Sequence, residues 1–249
     1  MATGILDGRK AIITGAASGI GKGILETFVK EGAIVLAVDL PKDDWASDDE
    51  ISDGVARFAI DITRDDAPAA IVGAAVRQMG GIDVLVNNAG ISVFGGADST
   101  DDAMWNKVMA INVNAPFRLT REAIPHLKES GSGRIINTGS IMSELAGPGI
   151  IAYITSKHAV AGMTKAMAVD LGPYGICANF IQPGAIDTPL SAPHMEDPDF
   201  VAYWDRKIPL GRRGQPEDIA PVVAFLASEA GGYISGEGLR IDGGATCNM

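Results

Sequence analysis

A chain of 249 residues, 47% hydrophobic and 20% charged, has the make-up of a globular protein long enough to bury a substantial core. Its net charge of −11 repels a phosphate backbone or an anionic membrane surface, so neither nucleic acid nor membrane is expected as a partner. No apolar run approaches the ~18 residues of a membrane span, and no basic-then-apolar leader opens the chain. Cys177 and Cys247 give neither a disulfide framework nor a metal-ligand spacing with His126, His158 or His194. A cytoplasmic protein without a metal centre is expected.

The first apolar run, Ala11 to Ile13, is short and β-branched and ends in Thr14-Gly15, as a buried strand does. Gly19 to Glu31 reads as a helix with Ile20, Ile24, Phe28 and Val29 on one face, and Ala33 to Val38 as a strand apolar throughout. Val55 to Ile60 is the third strand, Arg64 to Met79 a helix, and Val84 to Val86 the fourth strand. Asp101 to Lys128 is helical with a break expected near Pro116. Arg134 to Thr138 is a strand, Ile151 to Leu171 a long helix, and Cys177 to Ile181 the sixth strand. After an irregular stretch, Pro216 to Ala227 is a helix with proline in its first turn, and Leu239 to Ile241 is the last strand. Continuous apolar strands alternating with helices belong to a parallel sheet covered on both faces. One doubly wound, Rossmann-type α/β domain over 1–249 with seven strands is predicted.

The first strand-to-helix turn holds glycines at 15, 19 and 21. Glycine lets the chain turn tightly and approach a phosphate closely, and the helix that follows directs its free N–H groups at the anion. The spacing differs from G-x-G-x-x-G. Asp39 ends the second strand 18 residues after Gly21, near the ~20-residue offset of an acid that binds ribose hydroxyls. Such a carboxylate accepts from both hydroxyls of NAD and repels the extra phosphate of NADP. Neither Ser18, before Gly19, nor Leu40, after Asp39, is a base that offsets it. The other acids nearby, Asp43, Asp44, Asp48, Asp49 and Glu50, read as a solvated loop.

Further motifs follow in order: Asn87-Asn88-Ala89-Gly90, Ile111-Asn112-Val113, Ser140 after the fifth strand, Tyr153-x-x-x-Lys157, Pro183-Gly184, and Ser235-Gly236 with Asp242-Gly243-Gly244. Together with Thr14-Gly15-x-x-x-Gly19-Ile20-Gly21 they cover nearly the whole chain, and in this order the sequence closely resembles the short-chain dehydrogenase/reductase family. The resemblance implies an oxidoreductase with Asn112, Ser140, Tyr153 and Lys157 as its catalytic set. Lys157 would also hold the nicotinamide ribose, Ser140 would hydrogen-bond the substrate oxygen, and Asn112 would support a water relaying protons from Lys157. It implies a cofactor site of Gly15, Ser18, Gly19, Ile20, Gly21, Asp39, Asp61, Ile62, Asn88, Ala89, Gly90, Tyr153, Lys157, Pro183, Gly184, Ile186 and Thr188. It also implies a homotetramer, for which the helices 101–128 and 151–171 offer small and apolar faces.

The residues support that chemistry independently. Tyr153 and Lys157, four apart on a helix, share one face. A cation ~4 Å from the phenol at an effective dielectric of ~20 is worth up to ~4 kcal/mol, enough to lower a tyrosine pKa of ~10 by ~3 units. Tyr153 is then a general base for an alcohol or acid for a ketone. Gly139-Ser140 lacks the G-x-S-x-G elbow of a hydrolase nucleophile. The reading is an NAD-dependent enzyme acting on a compact secondary alcohol or its ketone, with reduction of a carrier-linked 3-oxoacyl chain as the alternative and a non-catalytic NAD-sensing scaffold as the rival class. Ser92, Met142, Glu144, Leu190, His194 and Trp204 are the expected substrate contacts. Residues 188–213 form the expected lid, with Phe200, Tyr203, Trp204, Lys207 and Ile208 at helical spacing.

Overall fold

The computed structural model describes residues 4–42, 45–48 and 50–248. Asp43, Asp44 and Asp49 of the expected acidic loop lie outside the described residues, as does the side chain of His194.

Seven parallel strands form one sheet in the order β3-β2-β1-β4-β5-β6-β7. They are β1 (Lys10–Thr14), β2 (Ile34–Asp39), β3 (Val55–Ala59), β4 (Val84–Asn87), β5 (Arg134–Thr138), β6 (Cys177–Pro183) and β7 (Gly238–Ile241). The helices are α1 (Gly19–Lys30), α2 (Ala67–Met79), α3 (Asp102–Met109), α4 (Ala115–Glu129), α5 (Ile151–Leu171), α6 (Pro198–Lys207) and α7 (Pro216–Ala227). Alternate residues of each strand serve opposite faces. Ile13, Val35 and Val86 pack with Phe28 of α1 and Val223 of α7, while Ile12, Leu36 and Leu85 pack with Ile71 of α2 and Leu119 of α4. Both faces are apolar because both are covered, which is why the strands show no polar alternation. The chain winds outward from β1 in one direction and from β4 in the other, so a crevice opens where the carboxyl ends of β1 and β4 diverge. Among the described residues no helix is long and apolar enough to cross a membrane.

The break expected near Pro116 falls just before it. Residues Ala110–Asn114 form a π-helical turn between α3 and α4. Pro116 has no N–H to give to the carbonyl four residues back, and the ladder widens instead, with the Ala115 N–H donating to the Ala110 carbonyl. The widened turn carries Asn112, buried against the β4 loop. A further difference lies in 188–213, which is not wholly irregular. A short 3-10 turn at Ala192–Glu196 leads to α6, whose N-cap Asp197 accepts from the Asp199 N–H at 2.9 Å.

Candidate active site

A cleft of about 700 Å³ lies at the carboxyl ends of the strands, reaching from the β1–α1 turn to α6. At one end it is made mostly of backbone. Gly15 and Gly19 have φ of +68° and +53°, a region that favours glycine. Gly21 is needed for packing: a Cβ there would stand 2.0 Å from the Gly15 carbonyl oxygen and 2.5 Å from Asn88 Nδ2. Asn88 pins the turn, its Nδ2 donating to the carbonyls of Thr14 at 3.1 Å and Gly15 at 3.2 Å. The hydroxyl of Thr14 accepts from the N–H groups of Asn88 and Ala89 at 3.0 and 3.1 Å. Ser18, the N-cap of α1, makes no side-chain cap bond, and the first turn carries no acid. The free N–H groups of α1 therefore remain available to an anion, beside residues of the turn that line the cleft.

Asp39 lines the cleft at the end of β2. Its carboxylate accepts from the Ala17 N–H at 2.9 Å and the Leu40 N–H at 2.8 Å. It is not free of a base, as the residue directly following it implied: Lys42 Nζ stands 3.6 Å away, half exposed. A three-residue step round the loop brings the two charges together. Asp61 lines the cleft with Ile62 and closes a local turn, accepting from the N–H and hydroxyl of Thr63 at 2.8 and 2.7 Å.

The other end is made of side chains. Ser140, Tyr153 and Lys157 line the cleft together. Ser140 caps the short turn Ile141–Ser143, accepting from the Met142 N–H at 3.1 Å. Lys157 is buried, its Nζ 5.4 Å from the centre of the Tyr153 ring, and it donates to the Thr138 carbonyl at 2.7 Å. Burial lowers the Lys157 pKa to about 8 and pushes the Tyr153 phenol up, with a Ser140 hydrogen bond acting in the opposite direction. The downward shift expected from Lys157 is thus reversed here, because desolvation of the phenol outweighs its stabilising contacts. Asn112 does not line the cleft. Its amide clamps the β4 loop, Oδ1 accepting from the Ile91 N–H and Nδ2 donating to the Ile91 carbonyl, both at 2.9 Å, with a further bond to Ser156 Oγ at 3.0 Å. Its side chain is thereby committed to structure, leaving any water contact to its main-chain carbonyl.

Gly90, Pro183, Gly184, Ile186 and Thr188 also line the cleft, as do Ser92, Met142, Leu190 and Trp204. Glu144 does not. Its carboxylate pairs with Arg240 across 96 residues of sequence, so it is turned away from a role as substrate contact. In the stripe of α6, Trp204 and Ile208 are buried and Phe200 packs beside them against Ile141, but Tyr203 is exposed and Lys207 donates to the Asn248 carbonyl. Sequence reading placed Thr14 in the glycine motif without giving it a role, and it missed Thr138, whose position at the end of β5 beside Ser140 was the available signal. It also missed the Arg213 network, whose Nε donates to Asp187 at 2.8 Å and Nη1 to Asp205 at 3.2 Å. No local pattern announces that pairing.

Comparison with known proteins fixes the lineage. Residues 15–246 match the family model described as enoyl-(acyl carrier protein) reductase. This chain belongs to the short-chain dehydrogenase/reductase family. It is 37% identical over 243 residues to the 3-oxoacyl-(acyl-carrier-protein) reductase FabG of Thermotoga maritima, covering 96% of this chain and 98% of that protein. A crystal structure of a 3-ketoacyl-(acyl-carrier-protein) reductase from Brucella melitensis complexed with NADH superposes with a TM-score of 0.88 at 35% identity, over 97% of this chain and 99% of that one. A putative NAD(P)-dependent gluconate 5-dehydrogenase from Beutenbergia cavernae with bound NADP gives 0.88 at 32% identity, over 98% of both chains. As a short-chain dehydrogenase/reductase the chain is an oxidoreductase of a family that binds a nicotinamide cofactor. The glycine turn, the uncapped α1 terminus and the Asp39 carboxylate are of the right chemistry for the diphosphate and ribose of such a group.

Proposed function

We propose that this short-chain dehydrogenase/reductase is an NAD-dependent enzyme interconverting a compact secondary alcohol and its ketone. The observation that carries the reading is the convergence of Ser140, Tyr153 and Lys157 in one cleft with the glycine turn and Asp39. The α1 turn, Asp39 and Asp61 would hold the nucleotide end of NAD, and Lys157 with the 183–188 loop the nicotinamide end. When bound, NAD supplies the hydride acceptor for alcohol oxidation, and NADH the donor for the reverse.

Every proton step belongs to the chain. Tyr153, whose buried phenol is held protonated, gives its O–H proton to the ketone oxygen as the carbonyl becomes an alcohol. In oxidation the phenolate takes that proton back, so alcohol oxidation rises with pH. Ser140 orients the reacting oxygen by hydrogen bonding. Lys157, cationic below its pKa of about 8, stabilises the phenolate and relays protons between Tyr153 and a solvent water that the Asn112 carbonyl would hold, outward in alcohol oxidation and inward in ketone reduction. That carbonyl lacks its usual partner four residues on, where Pro116 stands.

Preference for NAD over NADP rests on Asp39, tempered by Lys42. Residues 188–213 act as the lid, and 1–249 as one catalytic domain. We further propose a homotetramer joined through the exposed small and apolar positions of α4 and α5, Phe117 and Val169 among them; a monomer by light scattering would refute that assembly. The proton-transfer reading is tested by Tyr153→Phe. Turnover should fall by about 10³-fold, at the middle of the range for lost acid–base catalysis, with NADH binding retained. Turnover within tenfold of the unaltered enzyme would remove Tyr153 from the role.

A further inference from the structure

The charged side chains that line the cleft are confined to four positions among the described residues: Asp39, Asp61, Lys107 and Lys157. They come from the ends of β2 and β3, from α3, and from the middle of α5. None comes from the turn after Ser140 or from the 188–204 segment. Those two segments contribute Ile141, Met142, Leu190, Met195, Phe200 and Trp204 to the lining. Ile141 and Trp204 belong to one small buried cluster, with Met142 and Phe200 packed against it, so the turn after Ser140 and α6 form one apolar surface.

Among the described residues, the polar groups of the same segments are either occupied or shut off from the cleft. Ser191 Oγ donates to the Ile186 and Thr188 carbonyls at 2.8 and 3.0 Å and accepts from the Thr188 N–H at 3.0 Å. Glu144 is paired with Arg240 outside the cleft. The indole Nε1 of Trp204 has no hydrogen-bond partner, but it is buried behind the wall and shut off from solvent. On the side of Ser140 and Tyr153 formed by these two segments, a ligand therefore meets mainly hydrocarbon among the described residues. A hydroxyl or carboxylate placed there would lose its water without gaining a partner.

We propose that the reaction end of this cleft takes a secondary alcohol or ketone flanked by hydrocarbon, such as an alicyclic ring, and discriminates against polyhydroxylated and anionic substrates. This deepens the function proposed above and rests on it. A 3-oxoacyl chain on an acidic carrier is disfavoured by a second property, since a chain of net charge −11 slows association with an acidic partner.

The test measures kcat/KM for cyclohexanol and 4-methylcyclohexanol beside gluconate and a carrier-linked 3-hydroxyacyl thioester, each with NAD and with NADP. The ring alcohols should exceed gluconate and the carrier substrate by at least about tenfold. Leu190→Arg, a substitution at an exposed wall position, should narrow the ratio of methylcyclohexanol to gluconate. Equal or better use of gluconate or of the carrier substrate overturns the inference, and so does failure to turn over either ring alcohol. The two readings separate cleanly. If Tyr153→Phe stays active while the ring preference persists, the proton-donor role fails and the apolar site stands. If gluconate wins and Tyr153→Phe is inactive, the reverse holds.

Discussion

At the β1–α1 end of the cleft the ligand surface is backbone, shaped by Gly15 and Gly19 at positive φ and by the close approach of Gly21 to Gly15. At the β5–α6 end it is side chain, with Tyr153 and Lys157 on α5 and an apolar wall borne partly by a helix that reaches the site from outside the sheet. Backbone surfaces tolerate no added atom but accept any residue that leaves the path unchanged. Side-chain surfaces can be rewritten one residue at a time, provided the elements that carry them stay docked. A family with one cofactor chemistry and many substrates needs that division of labour.

The sharpest break of this comparison is Gly21→Ala. Its new Cβ would meet the Gly15 carbonyl at 2.0 Å and Asn88 Nδ2 at 2.5 Å, and Asn88 is held by two further bonds and cannot yield cheaply. A loss of about 3 kcal/mol in stability is expected, together with about hundredfold weaker NADH binding, read by urea unfolding and fluorescence titration. Gly73→Ala on α2, where an added Cβ meets only the flexible end of the Arg77 side chain at 3.2 Å, should instead stabilise by about 0.5–1 kcal/mol. Equal effects of the two substitutions would erase the distinction.

Lys157 sharpens the side-chain half. With its pKa at about 8 in the fold against the ordinary 10.5, the unfolded chain carries a proton that the folded chain lacks between those values. The penalty for burying the charge is complete below pH 8 and relieved as pH rises toward 10.5, so stability increases with pH across that window. Raising the pH from 7.5 to 9.5 should stabilise the cofactor-free protein by about 2 kcal/mol relative to Lys157→Met. Parallel urea midpoints for the two proteins over that range would show that Lys157 is not desolvated.

Smaller, about tenfold, is the effect expected at the junction of the two halves. Asp39→Ala should reduce the ratio of NAD to NADP efficiency by that factor, since a carboxylate facing the extra phosphate is removed. Lys42→Ala should raise it, because the base 3.6 Å away no longer offsets the acid. Ratios unchanged in both variants would take cofactor choice away from the end of β2.

What the chain made legible follows the same line. The glycine turn, Asp39, and the Tyr153–Lys157 pair lie within single turns or at strand ends, where local geometry alone decides which side chains share a face. The helices Ile151–Leu171 and Pro216–Ala227 fall on their expected bounds for the same reason. Lys42 was overlooked at a separation of three because a loop, unlike a helix, has no fixed period. Glu144 was misplaced because its partner, Arg240, is 96 residues away and reached only through the β6–β7 pairing. The sign of the Tyr153 shift was missed because burial is a property of the packed fold, and no spacing of charges in the chain reports it.

The smallest expected effect tests whether the apolar wall depends on its docking. Arg213 joins the cleft loop to α6, with Nε donating to Asp187 at 2.8 Å and Nη1 to Asp205 of α6 at 3.2 Å. Gln215 Nε2 holds the other Asp187 oxygen at 2.8 Å. Asp187 stands between two cleft residues, Ile186 and Thr188, and Asp205 follows Trp204. The guanidinium therefore fixes the loop against α6 without entering the cleft. Its ion pairs are partly exposed, and such pairs are individually worth about 0.2–1 kcal/mol, which bounds the effect. Arg213→Ala should raise the KM for the alcohol by about three- to fivefold, with kcat and NADH affinity changed less than twofold. Asp205→Ala should give about half of that change in free energy, since it leaves the Asp187 arm in place. A fall in kcat at unchanged KM would mean that Arg213 serves the chemistry itself, and no change in either constant would mean that α6 stays docked through Trp204 and Ile208 alone.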